Sequence, residues 1–143
     1  MNEQKESLMH EISDLPHKKP MLLIDRLLKQ SDGYALAEMD CPSEAFYFQG
    51  HFPGQPVVPG VILVEACAQT SAFALPDAAP QKVFYLTSVN KVKFSRPVVP
   101  GNIVTLESAH LRSRRGFHWF QITAYVGKNI CMQGEISVFA QKD

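Results

Sequence analysis

A chain of 143 residues suits one domain with one hydrophobic core, and we expect a single domain over residues 1–143. Hydrophobic residues make up 45% of the chain and charged residues 20%, which is ordinary for a globular protein and argues against disorder. The 14 basic and 14 acidic side chains cancel, so no overall field favours nucleic acid or an anionic membrane.

The cysteines and the N-terminal segment indicate the cellular compartment of the protein. Cys41, Cys67 and Cys131 are odd in number and form no Cys-x-x-Cys pair, so we predict reduced thiols and neither a disulfide framework nor a metal site. The segment 1–17 has no apolar signal core and no Arg-rich targeting pattern. Because no apolar stretch is long enough to span a bilayer, we expect a cytoplasmic protein outside the membrane.

The first half of the chain predicts a helix followed by a hairpin. Residues 5–15 carry apolar side chains at helical spacing, and Pro16 ends that pattern. The apolar run 21–28 predicts a buried strand. A turn signal at 31–33 precedes a second strand over 34–41, which pairs with the first.

A loop and a helix occupy the middle of the chain. Six Gly and Pro residues crowd into 46–60, which predicts a structured loop because regular elements do not tolerate so many breakers. Residues 61–75 contain neither Gly nor Pro and predict a helix that Pro76 stops. Its first turns are apolar on nearly every side, so we expect burial on nearly every side.

The second half predicts four strands that run back and forth. Gly-containing turns separate them, and the pentapeptide Pro-Val-Val-Pro-Gly occurs twice, a repeat that we interpret as coincidence or parallel turn chemistry. One antiparallel sheet wrapped around one long helix satisfies the whole pattern and makes an α+β domain. The predicted strands cover 83–94, 103–111, 117–126 and 130–140.

Three groups around the loop and the helix suit one reaction. His51 lies in the loop and offers a general base, and the Gly60 amide at the helix N-terminus favours developing negative charge. Glu65 lies among apolar helix residues, which favour a protonated carboxyl group of the kind that a general acid needs. Gln69 follows one turn later and is placed to orient that carboxyl group. A base, an acid and an oxyanion donor are the requirements for β-elimination from a thioester.

Several motifs resemble those of the FabZ-type (3R)-hydroxyacyl-acyl carrier protein dehydratases. The opening Leu-Pro-His-x-x-Pro at 15–20, followed by Leu-Leu-Ile-Asp-Arg at 22–26, is similar to the start of that family. Residues 48–61 resemble its active-site loop, and 65–69 resemble the helix segment that follows. The stretch 89–101 is similar to a later strand and turn. The resemblance covers roughly residues 14–140.

The resemblance implies a fold, an activity and an assembly. It implies a hot-dog fold and a homodimer whose helices pack beneath a sheet continuous across both subunits. Each active site would lie at the dimer interface and take His51 from one subunit and Glu65 from the other. Trimers of dimers and heteromers with a second hot-dog subunit are also compatible with it. The implied reaction is dehydration of (3R)-3-hydroxyacyl-acyl carrier protein to the trans-2-enoyl form, without metal or other cofactor, in fatty acid or related polyene biosynthesis. Related FabA-type enzymes carry Asp in place of Glu65, so the Glu favours dehydration without isomerisation.

Two sets of residues are candidates for substrate and carrier contacts. Apolar side chains near the loop and on the third strand are candidates to line an acyl tunnel, and Gln69 belongs with the substrate-binding group. Basic residues are expected to ring the tunnel mouth, because the carrier protein of this pathway is acidic. The tunnel candidates are Phe46, Phe48, Phe52, Val61 and Leu86, and the docking candidates are Lys93, Arg96, Arg112, Arg114 and Arg115.

Two other functions fit the same residues. A hot-dog thioesterase would use the carboxylate to activate water and would release free thiol from an acyl carrier substrate. A non-catalytic hot-dog subunit would stabilise a dehydratase complex or hold acyl chains. The presence of both His51 and Glu65 argues against this last reading, because a scaffold does not need a carboxyl group in an apolar helix.

Overall fold

One antiparallel sheet and one helix make up the fold. The computed structural model describes residues 10–75 and 83–140. The six strands lie in the order β1-β2-β4-β5-β6-β3, so β1 and β3 form the edges of the sheet. Their bounds are β1 Arg26–Ser31, β2 Tyr34–Asp40, β3 Phe84–Phe94, β4 Ile103–Arg114, β5 Phe117–Val126 and β6 Asn129–Ala140.

The helix, α1, spans Gly60–Ser71 and continues as a 3₁₀ turn over Ala72–Ala74. It packs across β2, β4, β5 and β6, and small side chains such as Ala66 and Cys67 let the sheet approach closely. The Ser71 and Ser108 hydroxyls lie 2.6 Å apart and join the end of α1 to β4. The predicted α+β architecture, one antiparallel sheet around one central helix, is therefore confirmed.

The N-terminal predictions need correction. Of the predicted helix 5–15, residues 5–9 lie outside the described residues, and the rest contains only a 3₁₀ turn over Ile12–Asp14. Pro16 disfavours helical backbone at Leu15, which is extended. The predicted strand 21–28 is also wrong at its start, because β1 begins only at Arg26. The backbone of residues 21–23 bonds to a side chain of α1 in place of a neighbouring strand.

The β4–β5 turn shows why the later strand predictions succeed. Arg115 and Gly116 both have positive φ, at 51° and 88°, as a two-residue hairpin turn requires. A glycine serves this turn because it adopts such backbone at little cost. The turn fixes the register that places Arg114 opposite Phe117. The four strands lie within a few residues of their predicted bounds.

Two parts of the chain leave apolar surface uncovered. The prediction of burial around the start of α1 is wrong at Val61, whose exposure is 74%. Edge strand β3 exposes side chains on both faces, among them Tyr85, Val89 and Phe94. The helix covers the middle of the sheet, and although Phe84 and Val92 pack against the core, most of β3 stays exposed.

All three cysteines are buried and free of disulfides. Burial raises the pKa of the Cys67 thiol to about 12 and that of Cys41 to about 11, and it also raises the pKa of Cys131. Each thiol therefore stays protonated and shielded. No helix in the described part of the chain is both long and apolar enough to cross a membrane.

Candidate active site

Backbone hydrogen bonds fix the loop before α1 that carries His51. The amide of His51 donates to the Phe48 carbonyl at 3.3 Å, and its carbonyl accepts from the Val57 amide at 2.9 Å. The Val58 amide donates to the Val98 carbonyl at 2.8 Å, which joins the two Pro-Val-Val-Pro-Gly segments. The Gly and Pro residues of this loop therefore allow a fixed backbone conformation that positions the imidazole of His51.

The imidazole of His51 has a defined tautomer when it is neutral. Its Nδ1 lies 3.1 Å from the Val57 carbonyl oxygen, which can only accept a hydrogen bond. Nδ1 therefore carries the proton, and Nε2 keeps the lone pair that a general base uses. The ring of Phe52 stacks on the imidazole with centroids 4.2 Å apart and limits its rotation.

A cavity of about 530 Å³ joins His51 to the start of the helix. Gly60, Val61 and Leu63 line it from α1, and Phe94 and Arg96 line it from the end of β3 and the residues that follow. The first amides of a helix have no intrahelical acceptor, so those of Gly60 and Val61 can donate to a ligand. The helix dipole adds a partial positive charge at the same place. A base and an anion-stabilising helix end thus line one cavity.

Phe94 explains why a glycine begins the helix. A Cβ built on Gly60 would lie 2.8 Å from two ring atoms of Phe94, closer than such atoms pack. The absence of a side chain lets this aromatic ring lie against the helix end. Close packing therefore requires a glycine at this position, whereas the predicted chemistry uses a backbone amide that any residue except proline would supply.

Glu65 is held by the amide of Gln69, one turn further along α1. Gln69 Nε2 donates to Glu65 Oε2 at 3.0 Å and to the Met21 carbonyl at 2.7 Å. Gln69 Oε1 accepts from the Leu23 amide at 3.0 Å. Since Gln69 is fully buried in the chain, its contribution to the site passes through Glu65 and the backbone near residue 22.

A second histidine, His17, lies beside the carboxylate. Its Nε2 is 3.6 Å from Glu65 Oε2, and its ring is 5.6 Å from the ring of Phe84. Burial lowers the pKa of His17, and the charge of Glu65 opposes that shift in part. Our interpretation of the sequence gave His17 a capping or packing role and no part in catalysis, although it lies in the first motif of the resemblance. Because His17 and Glu65 lie far apart in the sequence, no local pattern predicted their contact.

The chain does not bring its two predicted proton-transfer residues together. Glu65 is absent from the residues that line the cavity of His51, and no hydrogen bond or ion pair connects the two within the described residues. The Glu65 side chain is 28% exposed and shares an exposed stripe of α1 with Val61. The carboxyl group is therefore accessible from outside the chain.

Comparison with known proteins identifies the family of this chain. The model of the FabA-like domain matches residues 15–135. The chain belongs to the FabA-like family. Its relatives include proteins named 3-hydroxyacyl-[acyl-carrier-protein] dehydratase FabZ. That of Geobacter metallireducens is 38% identical over 90% of each chain, that of Syntrophotalea carbinolica 39% over 90%, and that of Escherichia coli 37% over 82%.

Solved structures show that this member of the FabA-like family has the predicted hot-dog fold. The dehydratase heterocomplex ApeI:P from Xenorhabdus doucetiae superposes with a TM-score of 0.76 at 14% identity, covering 94% of this chain and 93% of the other. The virulence protein Cj0977 from Campylobacter jejuni gives 0.70 at 15% identity, covering 99% and 89%. At these identities the likeness concerns the fold alone.

The predicted tunnel residues of this FabA-like chain lie in different places. Val61 lines the cavity of His51, and the exposed Phe52 stacks on that histidine. Leu86 is exposed on β3 and lies outside the cavity lining. Phe48 is buried in the core, and Phe46 lines a second cavity of about 450 Å³. Within one chain, the five tunnel candidates therefore do not form a single channel.

The basic candidates fall into two groups. Lys93 and Arg96 lie near the end of β3, and Arg96 lines the cavity. Arg114 and Arg115 lie at the β4–β5 turn, together with Arg112. Because Phe117 pairs with Phe139 and Phe139 with Tyr85, this turn lies at the opposite end of β3. Arg112 covers the ring of Trp119 at 4.8 Å and lies 3.5 Å from Glu135, so its charge is partly engaged.

Proposed function

We propose that this protein removes water from a (3R)-3-hydroxyacyl group carried on acyl carrier protein and leaves the trans-2-enoyl thioester. The observation that carries the proposal is the shared cavity of His51 and the N-terminus of α1, in a chain whose relatives are named FabZ dehydratases. The tautomer fixed by Val57 supports His51 as the base, because it leaves Nε2 with a free lone pair.

The reaction needs two proton transfers. His51 Nε2 takes the C2 proton, and the electrons of that C–H bond form the double bond between C2 and C3. The Gly60 amide donates to the thioester oxygen as it gains negative charge. Glu65 protonates the 3-hydroxyl group, the C3–O bond breaks, and water leaves. Positioned proton transfers of this kind each accelerate a reaction by about 10²–10⁴-fold.

A second copy of the chain would complete the site. Edge strand β3 offers an unpaired backbone edge and exposed apolar side chains, which favours pairing with another β3. A two-fold axis there would extend the sheet across both copies and cover the exposed Val61. It would also bring Glu65 of one copy to His51 of the other, which accounts for their separation within one chain.

Carrier docking is the last part of the proposal. Antiparallel pairing of β3 with its copy would place the turn residues Arg114 and Arg115 of one subunit near Lys93 and Arg96 of the other. The two basic groups, separated within one chain, would then lie around one cavity. An acidic carrier protein is attracted to such a rim mainly through its rate of association.

The reaction is tested by hydration of a crotonyl-carrier substrate, followed as loss of the enoyl thioester absorbance. We expect turnover by the wild type and a loss of about 10²-fold or more in His51→Ala and in Glu65→Gln. The matched control is His110→Ala, which removes a half-buried histidine on β4 outside the cavity of His51 and is expected to keep full activity. Release of free thiol without hydration would support a thioesterase and overturn the proposal.

The shared site is tested by mixing the two inactive variants. If each site takes His51 from one subunit and Glu65 from the other, heterodimers of His51→Ala and Glu65→Gln regain one intact site of two. After random exchange of subunits, about a quarter of the wild-type activity should return. A site built within one chain would regain none, and that result would overturn the dimer proposal while leaving the reaction in place.

A further inference from the structure

Segment 17–23 brings a second histidine to the proposed acid. Gln69 binds this segment at two points, the Met21 carbonyl and the Leu23 amide. His17 begins the segment, and its Nε2 lies 3.6 Å from Glu65 Oε2. That separation is longer than a hydrogen bond, so the contact is an electrostatic attraction between the imidazole N–H and the oxygen.

The two neighbours of Glu65 approach the same oxygen atom. Both hydrogens of the Gln69 amide nitrogen are used, one on the Met21 carbonyl and one on Glu65 Oε2. His17 Nε2 also faces Oε2. An oxygen that accepts from one donor and faces another is the less favourable place for a proton. The other oxygen, Oε1, has no such donor from these residues.

The buried side of His17 indicates its tautomer. His17 Nδ1 is the one buried side-chain nitrogen or oxygen without a hydrogen-bond partner in residues 10–75 and 83–140. An N–H at Nδ1 would have no acceptor, whereas an N–H at Nε2 is directed at the Glu65 carboxyl oxygen. The proton of a neutral His17 therefore belongs on Nε2, directed at Glu65. The neutral form is itself favoured, because burial lowers the pKa of His17.

We propose that His17 is a positioning residue for the acid. Together with Gln69 it directs an N–H group at Glu65 Oε2, so that Oε2 is the accepting oxygen and Oε1 carries the proton that the substrate receives. The same two donors then stabilise the carboxylate after the proton has left. This inference rests on the proposed dehydration, and it adds a residue that acts on the reaction without touching the substrate.

Three substitutions separate this role from packing. His17→Gln keeps a donor nitrogen near the position of Nε2, His17→Leu removes it, and His17→Asn is one methylene too short to reach. We expect kcat to fall about 10-fold or more in the Leu and Asn variants with KM within about two-fold, because the interaction is strengthened during proton transfer. His17→Gln should recover most of kcat. Thermal unfolding of all three reports packing separately.

A spectroscopic measurement tests the contact without turnover. The measurement is the ¹³C NMR chemical shift of the Glu65 carboxyl carbon, whose signal is assigned by its loss in Glu65→Gln. This chemical shift should change in His17→Leu and stay near its wild-type value in His17→Gln. An unchanged signal in His17→Leu, unchanged kcat in that variant, or equal losses of kcat in Gln and Leu would each overturn the role of His17. Absence of turnover in the wild type would instead contradict the dehydration proposal. The chemical shift of the Glu65 carboxyl carbon would still show whether His17 acts on Glu65.

Discussion

Gln69 Nε2 lies 3.0 Å from Glu65 Oε2 while the same amide group binds the backbone of Met21 and Leu23. One side chain therefore connects the proposed acid to a segment more than forty residues away in sequence. Because the amide is fully buried, none of these bonds can be replaced by water without opening the core. The position of Glu65 and the attachment of segment 17–23 thus depend on the same group.

Replacing Gln69 by Leu should damage stability and activity together. The substitution leaves the Met21 carbonyl and the Leu23 amide without their partner, at a cost of about 3 kcal/mol in the free energy of unfolding. Urea denaturation measures this change. The matched control is Gln133→Leu on β6, where the side chain is exposed, and it should stay within about 0.5 kcal/mol of wild type. Equal stability of the two variants would contradict the argument.

Gly60 and Phe94 should show coupled effects on turnover. In Gly60→Ala the new methyl group meets the Phe94 ring, so the ring must move and the helix end is partly blocked. We expect kcat/KM to fall about 10-fold or more, a loss of about 1.4 kcal/mol of transition-state stabilisation. The double variant Gly60→Ala, Phe94→Leu should recover part of that loss because the smaller side chain removes the overlap. Strict additivity in the double-mutant cycle would show that the two residues do not interact.

The stability of the fold should fall in mild acid through His17. Its pKa in the folded chain is lower than the ordinary value of 6.5, so the unfolded chain binds more protons as the pH falls through that value. The contribution of neutral His17 is complete above about pH 6.5 and is lost progressively below it. The melting temperature should therefore decrease from pH 7.5 to 5.5, and the decrease should be smaller in His17→Gln. The same slope in both proteins would exclude His17 as its source.

Arg114 should matter only when the substrate is attached to its carrier. We expect Arg114→Glu to raise KM for a carrier-bound enoyl substrate several-fold, with an effect that weakens at high salt. KM for a small enoyl thioester without carrier protein should not change. Lys128→Glu makes the same change of charge at the exposed β5–β6 turn and serves as the control. If both variants raise KM alike, general charge is responsible and Arg114 is not a docking residue.

Local patterns predicted the second half of the chain well. The turn at Arg115 and Gly116 has a composition that specifies a tight hairpin, and the alternation along the first half of β4 indicates which side chains face the helix. The helix was predictable because residues 61–71 contain neither Gly nor Pro, while Pro59 lies before the helix and Pro76 lies after it. These elements depend on contacts between residues that are close in sequence.

Contacts between distant residues account for the errors. The apolar run 21–28 has the composition of a strand, but the amide of Gln69 competes for its first backbone groups. Val61 is exposed although its neighbours on α1 are apolar and buried, and in the proposed dimer the second copy would cover it. The contact of His17 with Glu65 follows from how segment 17–23 is attached, which no local pattern specifies.

The buried thiols make the protein convenient for chemical labelling. A thiol with its pKa raised to about 11 or 12 and no access to water reacts slowly with alkylating dyes. A single cysteine placed at exposed Lys128 or Arg115 would therefore accept a fluorophore while Cys41, Cys67 and Cys131 stay unmodified. The labelled variant can then report distances between copies, or the approach of a carrier, without removal of the three native cysteines.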